Sequence, residues 1–184
     1  MILKMKTSLY KKMPIIAVTI LTFVFSSCLK DDKYINFAGV GTTIELPLAA
    51  YSPSTTGSFV YKISTQIDTI KSVPQDLPVV VNVASPKPLS NDLTVTLGVD
   101  ADAFNKLNTT LPNKYAMLPT AGYSLPNPKV TIPANTRLGT VFFKINTSAI
   151  DKTVKNYILP VSITDASGQQ ISNYKTIYYN IQVK

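Results

Sequence analysis

The sequence predicts an all-β fold, an immunoglobulin-like antiparallel sandwich of about seven strands, and three observations carry that prediction. Apolar and polar residues alternate with period two in short segments along most of the chain. Val, Ile and Thr are frequent, 13 prolines and clusters of Asn, Ser and Gly punctuate the segments, and no long stretch has helical periodicity. The chain has 184 residues, enough after removal of a leader for one domain with a substantial core.

Strands are expected over residues 43–48, 58–64, 78–85, 92–99, 137–145, 157–164 and 175–183, with a short eighth over 129–132. The alternation assigns faces. Val79, Val81 and Val83 point inward, as do Leu93, Val95, Leu97 and Val99, while Thr94 and Thr96 point outward. Val141, Phe143 and Ile145 join that core, with Tyr157, Leu159, Val161 and Ile163, and with Ile177, Tyr179, Ile181 and Val183. Burial on one side of several short strands calls for two packed sheets rather than a barrel. Pro86-Lys87-Pro88 with Asn91, and Ala166-Ser167-Gly168-Gln169, are turn signals between strands. Residues 101–108 suit one or two helical turns. Residues 107–128 hold Pro112, Pro119, Pro126 and Pro128 and are either a binding loop or a rigid cover over the sandwich, and their apolar content favours the cover.

The amino terminus has a different character. Residues 1–12 carry four lysines and no acid, and residues 13–27 form an apolar run that closes on small residues, the pattern of a secretory signal. The run is about fifteen residues, short of the roughly twenty that cross a bilayer as a helix, so cleavage is expected. Phe25-Ser26-Ser27-Cys28 resembles the lipobox of bacterial lipoproteins, with Phe25 where leucine is usual. The resemblance implies acylation of Cys28 and an anchor in the membrane. Cys28 is the sole cysteine, so it has no partner for an internal disulfide. Leu29-Lys30-Asp31-Asp32-Lys33 resembles the acidic signal that sends Bacteroidetes-type lipoproteins to the outer face of the outer membrane. The expected organisation is a signal peptide over 1–27, an acylated cysteine and tether over 28–41, and a sandwich domain over 42–184.

Charge and residue types exclude several function classes. The formal charge is +8, but Lys4, Lys6, Lys11 and Lys12 leave with the leader and remove four of the eight charges. The remaining lysines are scattered and Arg137 is the single arginine, which is not the basic stripe that nucleic acid requires. Histidine is absent and the one cysteine is the expected anchor, removing the usual general bases, metal ligands and thiolate nucleophiles. Ten acids remain, two of them in the tether, and none on the aromatic strands as a pair for glycosidic chemistry. The chain is therefore expected to be neither an enzyme nor a cofactor binder. Asp100, Asp102 and Asn105 form an oxygen-rich cluster that lacks the glycine and glutamate of a calcium loop, and Asp100 reads better as a helix N-cap.

Several segments in order resemble the family called domain of unknown function 1735, found in Bacteroidetes surface lipoproteins. They are Val95-Thr96-Leu97-Gly98-Val99-Asp100 with Phe104-Asn105, then Tyr115 to Pro119 with Tyr123, then Val130-Thr131-Ile132-Pro133. Tyr157-Ile158-Leu159-Pro160-Val161 and Tyr178-Tyr179-Asn180-Ile181 follow. One departure is Ala134-Asn135, where a glycine usually follows the proline turn, although Asn also tolerates positive φ. The resemblance implies an amino-terminal β-sandwich that often precedes a separate lectin-like or glycosidase module and accompanies glycan uptake. This chain stops after the sandwich, so activities of longer relatives are not expected to carry over.

The function expected from these features is a non-catalytic accessory module that binds extracellular glycan or glycoprotein. The alternative is a structural protein packing against another outer-membrane lipoprotein. Sugar recognition uses aromatic platforms beside polar groups, and the absence of Trp narrows the choice. The candidates are Tyr178 with Asn180 and Gln182 on the expected outer face of the last strand, Phe142 beside Lys144, and Tyr115 and Tyr123 in the cover. Asp68-Thr69-Ile70 resembles the Bacteroidetes O-glycosylation acceptor, with Thr69 as the modified residue, and Asn108 and Asn146 begin N-glycosylation patterns that rarely apply in bacterial export.

Overall fold

The computed structural model describes residues 41–50 and 63–184. The described residues form two packed β-sheets. The expected signal peptide, Cys28 and the expected tether to residue 40, together with residues 58–62 of the second expected strand, lie outside them.

Strand β1 is Thr43–Glu45 and leads into a single helical turn, α1, Pro47–Ala50. The expected strand over 43–48 is cut short because Pro47 has no N–H to donate to a ladder and its fixed φ suits the first turn of a helix. Strands β2 (Ile63–Asp68), β3 (Gln75–Ala84) and β4 (Leu93–Val99) follow, then helix α2 (Ala101–Thr110). Short strands β5 (Ala116–Met117) and β6 (Tyr123–Ser124) precede β7 (Lys129–Ile132) and β8 (Leu138–Ile145). The chain closes with β9 (Tyr157–Asp165), β10 (Gln170–Ile171) and β11 (Thr176–Val183). Strands β5, β6 and β10 are two residues long, too short for any period to register.

The first sheet, called A, has the order β10-β1-β3-β8-β6, and the second, B, the order β2-β11-β9-β4-β7, with β5 also beside β9. Most pairings are antiparallel, but β1 with β10, β2 with β11 and β5 with β9 run parallel. Two of these parallel pairs join the first strands to the last, so chain closure is long-range.

The inward residues expected on β3, β8 and β11 are buried, from Val79, Val81 and Val83 through Val141, Phe143 and Ile145 to Ile177, Tyr179, Ile181 and Val183. With Leu93, Val95, Leu97, Leu159, Val161 and Ile163 they form one cluster between the sheets. Val99 and Tyr157 are only partly buried and pack at its margin.

Two prolines inside strands explain where the ladders stop. The Val83 N–H donates to the Arg137 carbonyl at 2.8 Å, so odd-numbered residues of β3 bond to β8 and the Pro78 nitrogen faces the other way. On that side β1 ends at Glu45, opposite Asn82, so Pro78 costs no ladder bond to β1 and blunts the strand edge. Pro160 lies in β9 between the part that pairs with β5 and the part that pairs with β4, where β4 has left the sheet for α2. Its carbonyl still accepts the Asp100 N–H at 3.1 Å.

The turns follow their chemistry. Asn135 takes φ 62°, supplying the positive φ for which a glycine is the usual residue. Ser167 and Gly168 have φ 49° and 83° in the turn to β10, where Asp165 Oδ2 accepts the Ser167 N–H. Arg137 donates to the carbonyls of Val83, Ser85 and Pro86 and clamps the turn after β3.

Candidate functional site

The two outer faces of the sandwich have opposite fates. Asp100 Oδ1 accepts the Ala103 N–H at 2.9 Å and starts α2, which lasts to Thr110, longer than the one or two turns expected. This helix lies over sheet B, and its Phe104 and Leu107 form a second cluster with Ile158 of β9 and Tyr178 of β11, with Ala103, Leu111, Tyr115 and Met117 against it. The segment after α2 is therefore a cover and not an open loop. Asn108 secures it by donating to the Tyr115 carbonyl at 2.8 Å and accepting the Tyr115 N–H at 3.0 Å.

That cover corrects the expected ligand face. Tyr178 is 5% exposed beneath α2, with its hydroxyl donating to the Ala103 carbonyl at 3.3 Å. Asn180 is equally buried, its amide donating to the carbonyls of Tyr157 and Lys155. Gln182 is half-buried and donates to Asn180 Oδ1. These three residues hold strands and cover together and present no aromatic platform to solvent. Tyr115 and Tyr123 are half-buried, packed respectively on the small cluster and on the main core. The amide of Asn146 donates to the Ala121 carbonyl.

The outer face of sheet A stays open among the described residues. The register of β3 and β8 sets Asp76 beside Lys144, Pro78 beside Phe142, Val80 beside Thr140 and Asn82 beside Leu138. Val80, Phe142 and Leu138 are 41, 49 and 58% exposed. At one end the Lys144 ammonium meets Asp76 Oδ1 at 2.5 Å, and at the other the Asn82 amide donates to Glu45 Oε1 at 3.0 Å. A largely apolar strip of Pro78, Phe142, Val80 and Leu138, with Thr140 among them, thus runs from the Asp76–Lys144 pair to the Asn82–Glu45 bond. Water-facing positions of an antiparallel sheet ordinarily carry polar residues, so the strip is unusual for an exposed sheet face. Of the sequence candidates it keeps Phe142. It adds Val80, Pro78 and Leu138, which sequence reading passed over because an outward aliphatic looks like ordinary strand composition.

The acids serve local structure. Asp92 Oδ1 accepts the Ala134 N–H, and Asp151 accepts both the backbone N–H and the hydroxyl of Thr153. Those bonds, the backbone one first, hold the Asp151 carboxyl below its usual pKa. Both Asp100 oxygens are engaged, one by Ala103 and the other by the Ser162 hydroxyl at 2.8 Å, so Asp100 acts as a cap. Among the described residues no three acids or cysteines gather as a metal site. Thr69 is exposed just after β2, and the next residue but one, Lys71, donates its N–H to Thr147 Oγ1.

The comparisons with known proteins fit this architecture. A family described as an N-terminal domain matches residues 32–170, most of the chain. The chain belongs to this family, domain of unknown function 1735. A multidomain protein including DUF1735 from Bacteroides ovatus is 20% identical with a TM-score of 0.58, over 77% of this chain and 45% of its own. A Bacteroides ovatus structure of unknown function is 20% identical with a TM-score of 0.60, over 78% of this chain and 47% of its own. A third Bacteroides ovatus protein, named for a suspected carbohydrate-binding role, is 13% identical with a TM-score of 0.52, over 67% of this chain and 36% of its own. This DUF1735 chain therefore spans less than half the length of these structures, and the likeness is one of fold. No curated protein matches it.

Proposed function

We propose that this DUF1735 chain is a non-catalytic accessory module of a glycan-handling cell surface, working by contact through the outer face of sheet A. Acylated Cys28 holds it to the outer membrane, facing the exterior, on the strength of the lipobox-like Phe25-Ser26-Ser27-Cys28 and the acidic residues after it. The observation that carries the contact reading is the half-exposed strip of Val80, Phe142 and Leu138. This strip suits a protein surface better than a sugar. Its flanking polar groups already satisfy one another in part, Asp76 with Lys144 and Asn82 with Glu45, and stand at the two ends of the strip. Aliphatic neighbours supply no hydrogen bonds for hydroxyl groups. The module then packs on a surface protein, and glycan specificity belongs to the assembly.

A second reading, direct capture of glycan or glycoprotein, is favoured by Phe142, whose ring is the large aromatic exposed on this face. The suspected role of the third structural relative points the same way. One experiment separates the two. In the detergent-extracted lipoprotein, Phe142→Asp is expected to reduce the size of the native assembly while the circular dichroism spectrum stays unchanged. An unchanged assembly together with lost binding on a glycan array would overturn the first reading in favour of the second. The anchor is tested by Cys28→Ser, expected to remove the protein from the membrane fraction or block its processing. Full retention in washed membranes would refute lipid attachment.

A further inference from the structure

The strip on sheet A is self-complementary in its rows from Asp76–Lys144 to Val80–Thr140, and this points to the identity of its partner. Residues on the outer face alternate across β3 and β8 in rows: Asp76 with Lys144, Pro78 with Phe142, Val80 with Thr140, Asn82 with Leu138. A two-fold axis running along the strands, between β3 and β8, brings a second copy face to face with β3 over β8. Every row then meets its own mirror in composition. Asp76 stands over the second copy's Lys144 and Lys144 over its Asp76. Pro78 lies on the ring of Phe142, and Val80 on the Thr140 methyl. Any partner of uniform charge would gain at one of the two charges and lose at the other, whereas a second copy satisfies both at once.

The charges are placed to do this. The side chains of Lys144 and Asp76 are 41 and 52% exposed, so their mutual ion pair leaves each able to take a second partner and close a ring of four alternating charges. Exposed apolar area supplies attraction, and the row of charges supplies register. Packing sheet on sheet also gives sheet A what α2 gives sheet B, a cover for its outer face.

We infer that the outer face of sheet A binds a second copy of this chain, forming an isologous dimer in which Asp76 of each copy pairs with Lys144 of the other. The inference rests on the contact reading proposed above and names its partner.

The test uses the full-length lipoprotein in excess non-ionic detergent, with analytical ultracentrifugation over a range of protein concentrations. The wild type is expected to pass from monomer to dimer as concentration rises. Asp76→Lys leaves two positive charges in that row and Lys144→Asp two negative ones, so each variant alone is expected to weaken self-association at least tenfold. An equimolar mixture of the two is expected to regain wild-type dimerisation, because each like-charged face meets its opposite. Phe142→Asp is expected to abolish the dimer, with or without the charge variants. Either charge variant dimerising as tightly as wild type, or the mixture failing to recover, overturns the inference. A wild type that stays monomeric at every concentration also overturns it. If Phe142→Asp still dissolves a larger native assembly in that case, the contact reading survives with a different partner, so the two failures are distinguishable.

Discussion

The Ser162 hydroxyl donates to Asp100 Oδ2 across 62 residues of sequence, at 2.8 Å. The same carboxylate caps α2 through Ala103, and Ser162 in turn shares a 2.6 Å bond with the Thr176 hydroxyl. One side chain thus fixes where the helix starts and ties that start to β9 and β11. Asp100→Ala is expected to cost about 1–3 kcal/mol, combining a lost cap with a buried hydroxyl left one partner short. Asp100→Asn, which keeps a capping oxygen, is expected to recover most of it. Urea denaturation with an unchanged slope against denaturant checks both.

Tyr178 and Phe142 are expected to separate stability from binding. Tyr178 is 5% exposed in the cluster under α2, so Tyr178→Ala is expected to cost about 3–5 kcal/mol. Tyr178→Phe keeps the ring and removes the hydroxyl that donates to the Ala103 carbonyl, and is expected to cost about 1 kcal/mol. Phe142→Ala changes a side chain 49% exposed, and its stability should stay within about 0.5 kcal/mol of wild type while contact through sheet A is lost. Stability curves recorded beside the association measurements check this pair.

At Gly139, β8 of sheet A packs tightly against β7 of sheet B. A Cβ there would stand 2.8 Å from Ile132 Cγ1 and from Val130 Cγ2. Gly139→Ala is therefore expected to cost about 1–3 kcal/mol through overpacking. Adding Val130→Ala removes one of the two clashing carbons and is expected to return part of the loss, a coupling that thermal melts of the single and double variants measure.

Burial pushes the Tyr179 phenol up from 10.0 to about 12. The folded state therefore keeps this proton more tightly than the unfolded chain does. Its contribution is fully present below pH 10 and is lost as pH rises through about 12, amounting to about 3 kcal/mol at 1.36 kcal/mol per unit. Tyr179→Phe is expected to flatten this part of the alkaline stability curve and to remove a step near pH 12 from the tyrosinate absorbance titration. Identical curves for the two proteins between pH 10 and pH 12 would contradict the assignment.

Much of the fold is legible in the residues because strand faces are a local property. Val79, Val81 and Val83 alternate with polar or exposed neighbours, and the alternation alone assigns them to the core, where the structure has them fully buried. Asp100 reads as a cap for an equally local reason, since a short acceptor must precede a helix by a fixed spacing. Strands β5, β6 and β10 leave no trace because two residues contain no period. The parallel joining of β1 to β10 and of β2 to β11 is likewise unreadable, since pairing between chain ends is decided by closure of the sandwich and not by either segment.

Tyr178 and Phe142 show where that legibility ends. Each stands at an outward position of a strand whose inward neighbours are buried, and the same period-two pattern describes both. By itself the sequence determined that each side chain points away from the main core. Only the tertiary structure decided that one is sealed and the other bare. The Asp100 cap launches α2 across sheet B and onto Tyr178, while among the described residues nothing comparable crosses sheet A at Phe142. The physical reason is one of range: alternation is set by bonds between adjacent residues, and cover is set by where a distant segment comes to rest.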